Sequence, residues 1–189
     1  MRLQILNIAF KHFTIYGYQR TTLSGIASEL GKRKSAIYYY FDNKEHIFNS
    51  IVEVEADNFL SELTKCLTAK TDEIARIKKY IYTRVMAMYQ VAARYKLLKE
   101  ELFVLLPELE KARAPFHQKE ITLLSKVLRD GIKNGLIKEM NEELAAKMIV
   151  NTLKGLEIPM FIHAEFNVSV TEIENLSNIL LNGITTHNN

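Results

Sequence analysis

The sequence predicts an all-α protein, and three observations support that fold class. Apolar residues recur with the 3.6-residue period of an amphipathic helix along most of the 189-residue chain. Seven glycines and three prolines leave long stretches uninterrupted. Helix start and stop signals divide these stretches at plausible places. With 48% hydrophobic residues, the chain can bury a substantial core in one or two small domains, and we expect about nine helices.

The first three predicted helices are short and follow one another closely. The first covers residues 3–16 and ends at Gly17. Thr22 can cap the second, over residues 23–30, and Gly31 provides the turn that follows. A third helix is expected over residues 34–41. Asp42 and Asn43 then signal the next start, with Glu45 spaced for a capping box.

The remaining predicted helices are longer. One runs without an intervening linker from Asn43 to about residue 68, and an apolar one follows. Pro107 and Pro115 are expected to interrupt the next region into two helices. Gly155 and Pro159 should kink the helix before the last one. The predicted ranges after residue 68 are 72–95, 98–112, 116–134, 142–166 and 170–184.

Positive charge is concentrated near the amino end of the chain. Residues 1–50 contain seven Lys or Arg and three acids, whereas the remainder carries 18 cations and 19 anions. This uneven distribution suits a module that meets nucleic-acid phosphates.

Several classes of protein receive no support. Cys66 is the only cysteine, so an intramolecular disulfide framework is excluded. No signal peptide or apolar run of about 20 residues is present, so a soluble, cytoplasmic protein without a membrane partner is expected. Neither a converging set of metal ligands nor a recognisable catalytic motif occurs. We therefore expect no metal site, no cofactor and no enzyme activity.

The stretch from Thr22 to Glu45 is the most informative. A capped short helix stops at a glycine, and a second short helix begins with three cations and ends in four aromatic residues. This is the layout of a helix-turn-helix, which places its second helix in the major groove of DNA.

Residues 3–48 resemble the DNA-binding segment of the tetracycline-repressor (TetR) family. The resembling residues are Phe13, Gly17, Tyr18, Thr21, Thr22, Ile26, Ala27, Gly31, Lys34, Ile37, Tyr38, Tyr40, Phe41, Lys44 and Glu45. The resemblance implies a DNA-binding domain at 1–48 and a helical effector-binding and dimerisation domain at 49–189. It further implies a homodimeric regulator, a repressor, that binds a palindromic operator.

Eight residues are the expected DNA contacts: Thr22, Arg33, Lys34, Ser35, Tyr38, Tyr39, Tyr40 and Lys44. Lys44 matches the family's phosphate-binding lysine, and Arg33 could pair with a guanine. Alternatively, Thr22 could serve only as a cap and Tyr40 only for packing. The run Lys32–Ser35 departs from the family, which commonly has a small apolar residue, Ser, a basic residue and Gly there.

The carboxyl-terminal part contains candidates for an effector pocket and a dimer interface. Residues on the helices that surround the family's cavity are Met86, Tyr89, Phe103, Phe116, His117, Met148, Met160 and Phe161. They predict a small apolar or aromatic effector, although plain core packing is the alternative. The predicted dimer interface contains Leu153, Leu156, Ile173, Leu176, Leu180 and Ile184.

Two other functions stay open on the sequence. A helical carrier or enzyme could retain the fold without binding DNA. An activator or constitutive repressor could have a filled interior that takes no effector.

Overall fold

The computed structural model describes residues 1–94, 101–162 and 169–186, without the side chains of residues 102, 103, 161 and 162. Within these ranges helices are the regular elements, joined by turns and loops, and one isolated bridge connects Ile137 and Thr185. The predicted all-α fold class is confirmed. Nine helices occur in the described parts: α1 Arg2–Tyr16, α2 Leu23–Glu29, α3 Lys34–Tyr38, α4 Lys44–Leu67, α5 Glu73–Arg94, α6 Leu102–Lys133, α7 Glu142–Gly155, α8 Glu157–Ile162 and α9 Val170–Ile184.

The chain divides into two compact units, each with its own contacts. Unit 1 comprises residues 1–57 and 93–114, and unit 2 comprises residues 58–92 and 115–189. Helices α4, α5 and α6 therefore each contribute residues to both units. Unit 1 contains the helix-turn-helix segment together with residues that occur much later in the sequence.

Unit 1 is built around the apolar faces of its short helices. Phe13 of α1 is fully buried, and its ring lies 5.7 Å from that of Phe48 and 5.5 Å from that of Tyr18. Such aromatic pairs contribute about 0.5–1.5 kcal/mol beyond the area they bury. Ile26 of α2 and Ile37 of α3 are also fully buried, so one side of the helix-turn-helix is fixed against the core.

Local start and stop signals agree with the structure at most helix ends. The Thr22 hydroxyl oxygen accepts the Gly25 N–H at 3.0 Å, as a cap should. Gly17 and Gly31 adopt φ of +82° and +63°, which favour glycine. At α4 the predicted Asp42 cap was wrong: Asn43 accepts the His46 N–H at 2.7 Å, while Asp42 contacts the His46 ring.

Two expectations about helix breaks at proline and glycine differ from the structure. The two helices predicted over 98–112 and 116–134 were wrong, because α6 runs unbroken past Pro107 and Pro115. Each proline removes one N–H from the ladder and crowds the carbonyl four residues earlier. The buried Leu105 and Leu124 anchor the helix on either side of Pro115 despite this cost. The single helix predicted over 142–166, kinked at Gly155 and Pro159, was also wrong, because α7 ends at Gly155 and α8 begins at Glu157. The break nevertheless lies at the predicted kink.

Unit 2 contains a buried polar cluster within its apolar core. Arg84 is 1% exposed, and its Nε donates to Glu120 Oε1 at 2.8 Å. The Tyr80 hydroxyl donates to the same oxygen at 2.6 Å, and Glu157 lies 3.2 Å from Arg84 Nη2. Burial and the Glu120 carboxylate raise the pKa of Tyr80 well above its usual value. One cation therefore balances two carboxylates away from water.

No described helix combines the length and the apolar composition needed to cross a membrane.

We predict that Arg84→Ala destabilises the protein by about 3–5 kcal/mol, because it leaves Glu120 and Glu157 buried without their cation. Chemical denaturation at neutral pH measures this loss. Arg129→Ala is the matched control, since its partner Glu142 lies at the surface and the pair is exposed. Equal effects of the two substitutions would contradict the assigned importance of the buried cluster.

Candidate nucleic-acid interface

Helix α3 has one buried side and one open side. Ile37 is fully buried, whereas Tyr39 is 82% and Tyr38 48% exposed. Lys34 and Ser35 are exposed at the start of the same helix. A large, exposed aromatic surface beside cations is unusual unless it meets a partner, and Tyr rings suit a partner that offers phosphates and base edges.

The cations around the turn are available for an anionic partner. Lys32, Arg33 and Lys34 are exposed, and none belongs to an ion pair within the described residues. Lys34 Nζ lies 5.4 Å above the Tyr38 ring. Arg33 occupies the cap position of α3 but makes no side-chain cap hydrogen bond. Its guanidinium therefore keeps its donors for other acceptors.

Lys44 is engaged within the protein. Its Nζ donates to the carbonyl oxygens of Tyr18 at 2.7 Å, Gln19 at 3.1 Å and Thr21 at 3.0 Å. It also lies 4.4 Å from the centre of the Tyr18 ring. Burial lowers the pKa of Lys44. All three ammonium protons have acceptors, so a phosphate contact requires the loss or sharing of one of these bonds.

Thr22 and Tyr40 each combine a packing role with a polar group. The Thr22 hydroxyl accepts a hydrogen bond as the α2 cap, and its own proton remains available to a phosphate. Tyr40 is half-buried, and its ring packs edge-on against that of Tyr39 at 4.8 Å. The predicted DNA contacts of both residues stay predictions.

A carboxylate that sequence reasoning missed also belongs to this region. Glu101 accepts the backbone N–H groups of Tyr18 and Gln19 at 2.6 and 2.9 Å. No local signal could have identified it, because these partners lie 83 and 82 residues away in the chain.

The predicted pocket residues are not all placed together. Met86, Tyr89, Phe116 and His117 are half-buried in unit 2, and Met160 is buried there. Met148 is 58% exposed on α7, so its assignment to an internal pocket was wrong: it lies on the outward side of the helix. The side chains of Phe103 and Phe161 lie outside the described part of the structure.

The predicted dimer residues lie on the wrong side of their helices in two cases. Leu153 is 1% and Ile173 2% exposed, because both belong to the core of unit 2 and cannot reach a second chain. The other four, Leu156, Leu176, Leu180 and Ile184, are half-buried against that core. The apolar residues that α7 and α9 leave exposed are instead Leu144, Met148, Val170 and Ile179.

Comparisons with known proteins agree with the helix-turn-helix. The family model described as bacterial regulatory proteins, tetR family, matches residues 5–51. A crystal structure of a transcriptional regulator from Cytophaga hutchinsonii superposes with a TM-score of 0.75 at 29% identity, covering 96% of this chain and 97% of the other.

Two curated relatives differ from each other in their roles. The nucleoid occlusion factor SlmA of Shewanella pealeana is 24% identical over 82% of this chain and 79% of its own length. A fatty acid metabolism regulator protein of Bacillus subtilis is 26% identical over 80% of this chain and 78% of its own length. The family model, the solved fold and the exposed α3 agree: residues 5–51 match the DNA-binding segment of the tetR family, and the chain as a whole is similar to transcriptional regulators that carry this segment.

Proposed function

We propose that the protein is a homodimeric repressor that binds a palindromic operator and is released from it by a small apolar or aromatic effector. The observation that supports DNA recognition is the two-sided character of α3. Ile37 is buried on one side, whereas Tyr39 and the cations at the start of the helix are exposed. One such helix reads only a few base pairs. Two helices related by a dyad would read half-sites about 34–36 Å apart.

The proposed contacts divide between attraction and base reading. Lys32, Arg33 and Lys34 supply attraction to phosphates, which falls steeply with added salt. Arg33 and Ser35 lie at the start of α3, the end that faces base edges in helix-turn-helix proteins. Tyr38 and Tyr39 reach phosphate oxygens or base edges with their hydroxyl groups. Thr22 donates to a phosphate at the amino end of α2.

Dimerisation is supported by an open face on α7 and on α9. On α7 the exposed residues Leu144, Met148, Thr152 and Gly155 follow one another at helical spacing. On α9 the exposed Ile179 and Gly183 lie on the same side as Leu176 and Leu180. A side-chain carbon added at Gly155 or Gly183 would meet nothing within 4 Å, so both backbones are open to close approach. Paired helices of this kind form four-helix bundles.

The effector proposal is supported by side chains in unit 2 that can repack. Met86 and Tyr89 are half-buried against the apolar core, and methionine adapts its shape to varied apolar ligands. The Bacillus subtilis relative regulates fatty acid metabolism by its name, which fits an apolar effector. Release requires that the ligand prefer the arrangement with low DNA affinity. Helix α4 contributes residues to both units and is the proposed route of that coupling.

The test of the whole proposal is a genomic DNA pull-down with purified protein at near-physiological salt, read out by sequencing. Enrichment of one palindrome is the expected result. Uniform, salt-sensitive recovery without a motif would contradict it and would favour a helical carrier that retains only the fold.

We predict that the double substitution Arg33→Ala and Lys34→Ala weakens operator binding by about 10- to 100-fold. The salt dependence should become shallower by about one to two phosphate contacts. Fluorescence anisotropy over a range of salt concentrations measures both effects, and the melting temperature should stay unchanged. Lys78→Ala with Lys79→Ala is the control, because these adjacent cations are also exposed but lie in unit 2. An equal loss in the control pair would show a general charge effect.

We predict that Met148→Glu weakens the dimer by about 100-fold or more, because it would bury an unpaired carboxylate in the interface. Light scattering over a concentration series measures the change. Val104→Glu, at a residue that is 69% exposed in unit 1, should leave the dimer intact. A Met148→Glu protein that remains dimeric would exclude this face of α7.

A further inference from the structure

The loop between α1 and α2 is held by a carboxylate from a distant part of the chain. Glu101 accepts the N–H groups of two successive residues, Tyr18 and Gln19. The carboxylate also borders Gly17, where an added side-chain carbon would lie in van der Waals contact with Oε1 at 3.4 Å. Hydrogen bonds to an ionised acceptor are roughly twice as strong as neutral ones. Glu101 immediately precedes α6, so the loop geometry depends on where α6 begins.

Lys44 holds the carbonyl groups of the same loop. The N–H groups of Tyr18 and Gln19 donate to the Glu101 carboxylate, and the carbonyl oxygens of the same two residues accept from the Lys44 ammonium group. Burial lowers the pKa of Lys44, and the negative charge of Glu101 acts in the opposite direction, toward the charged form. The two charges therefore support each other and fix the loop backbone between them.

The fixed loop determines where α2 starts. The buried Thr21 hydroxyl donates to the Gly17 carbonyl at 2.7 Å, and Thr22 then caps α2. Helix α2 in turn contacts α3, the helix proposed to read DNA. A continuous set of hydrogen bonds and packing contacts thus leads from Glu101 to α3, entirely within unit 1.

The negative charge of Glu101 and its hydrogen bonds to the loop predict opposite changes in DNA affinity when Glu101 is removed. Glu101 is an acid in the unit that has to meet phosphates, and an acid there repels them. If its role were only electrostatic, its removal would strengthen binding. A role in holding the loop predicts weaker binding after removal, so the two readings can be separated by the sign of the change.

We propose that Glu101 is a positioning residue for DNA binding, because it holds the loop between α1 and α2 in the conformation that places α2 and α3. The proposal rests on the DNA-binding function proposed above.

The experiment compares Glu101→Ala and Glu101→Gln with the wild type, using the full-length chain and the DNA fragment enriched in the pull-down. Glu101→Ala should raise the Kd for DNA by about tenfold. Its salt dependence should stay unchanged, because no phosphate contact is removed. Glu101→Gln should have an intermediate effect, since its amide oxygen still accepts one N–H. Glu53→Ala, which removes an exposed acid of α4 in the same unit, controls for net charge and should change the Kd little.

Amide hydrogen exchange measured by NMR tests the contact itself. The Tyr18 and Gln19 amides should exchange about tenfold faster in Glu101→Ala than in the wild type. Unchanged exchange, or DNA binding as tight as that of the wild type, would overturn the inference while the regulator function stands. A wild-type protein that enriches no sequence would remove the proposed function and this inference with it. If Glu101→Ala does not fold, Glu101→Gln carries the same test.

Discussion

The helix-turn-helix depends on how the backbone between α1 and α2 is satisfied. Three carbonyl groups of this loop converge on one ammonium group, that of Lys44. The bonds to the Tyr18 and Thr21 carbonyls are partly buried, so their loss would leave polar groups with reduced access to water. The position of α2 follows from the loop, and the position of α3 follows from the α2 core contact. Lys44 is therefore one of the side chains that hold the DNA-facing surface in place, together with Glu101 and the buried Ile26 and Ile37.

This arrangement divides the cations of the amino-terminal region into two groups. Lys44 is committed to the backbone, whereas Lys32, Arg33 and Lys34 have no acid partner among the described side chains. This division gives a physical explanation for the run Lys32–Ser35, which departs from the family pattern. In the proposed DNA-binding mode these charges supply the phosphate attraction, because Lys44 is engaged with the loop carbonyls.

Local chemistry made much of the fold predictable, and distant contacts made the rest unpredictable. The α9 bounds and the glycine stops follow from signals within a few residues, and both agree with the structure. Helix α6 was divided wrongly because the local cost of Pro115 says nothing about the packing on either side. Glu101 and Arg84 escaped notice because their partners lie tens of residues away. The periodicity identified apolar stripes on α7 and α9. Which residues of each stripe face the core of unit 2 and which stay exposed depends on the neighbouring helices.

Unit 1 is discontinuous in sequence, which has a consequence for the growing polypeptide. Its first 57 residues leave the ribosome well before residues 93–114, which complete the same unit. At about 5–20 residues per second, the helix-turn-helix waits several seconds for Glu101 and for the Arg94 that pairs with Glu55. A nascent chain that is released early therefore has the cationic turn but lacks the residues that complete unit 1. The unit that contains the helix-turn-helix is complete only after more than half of the protein has been synthesised.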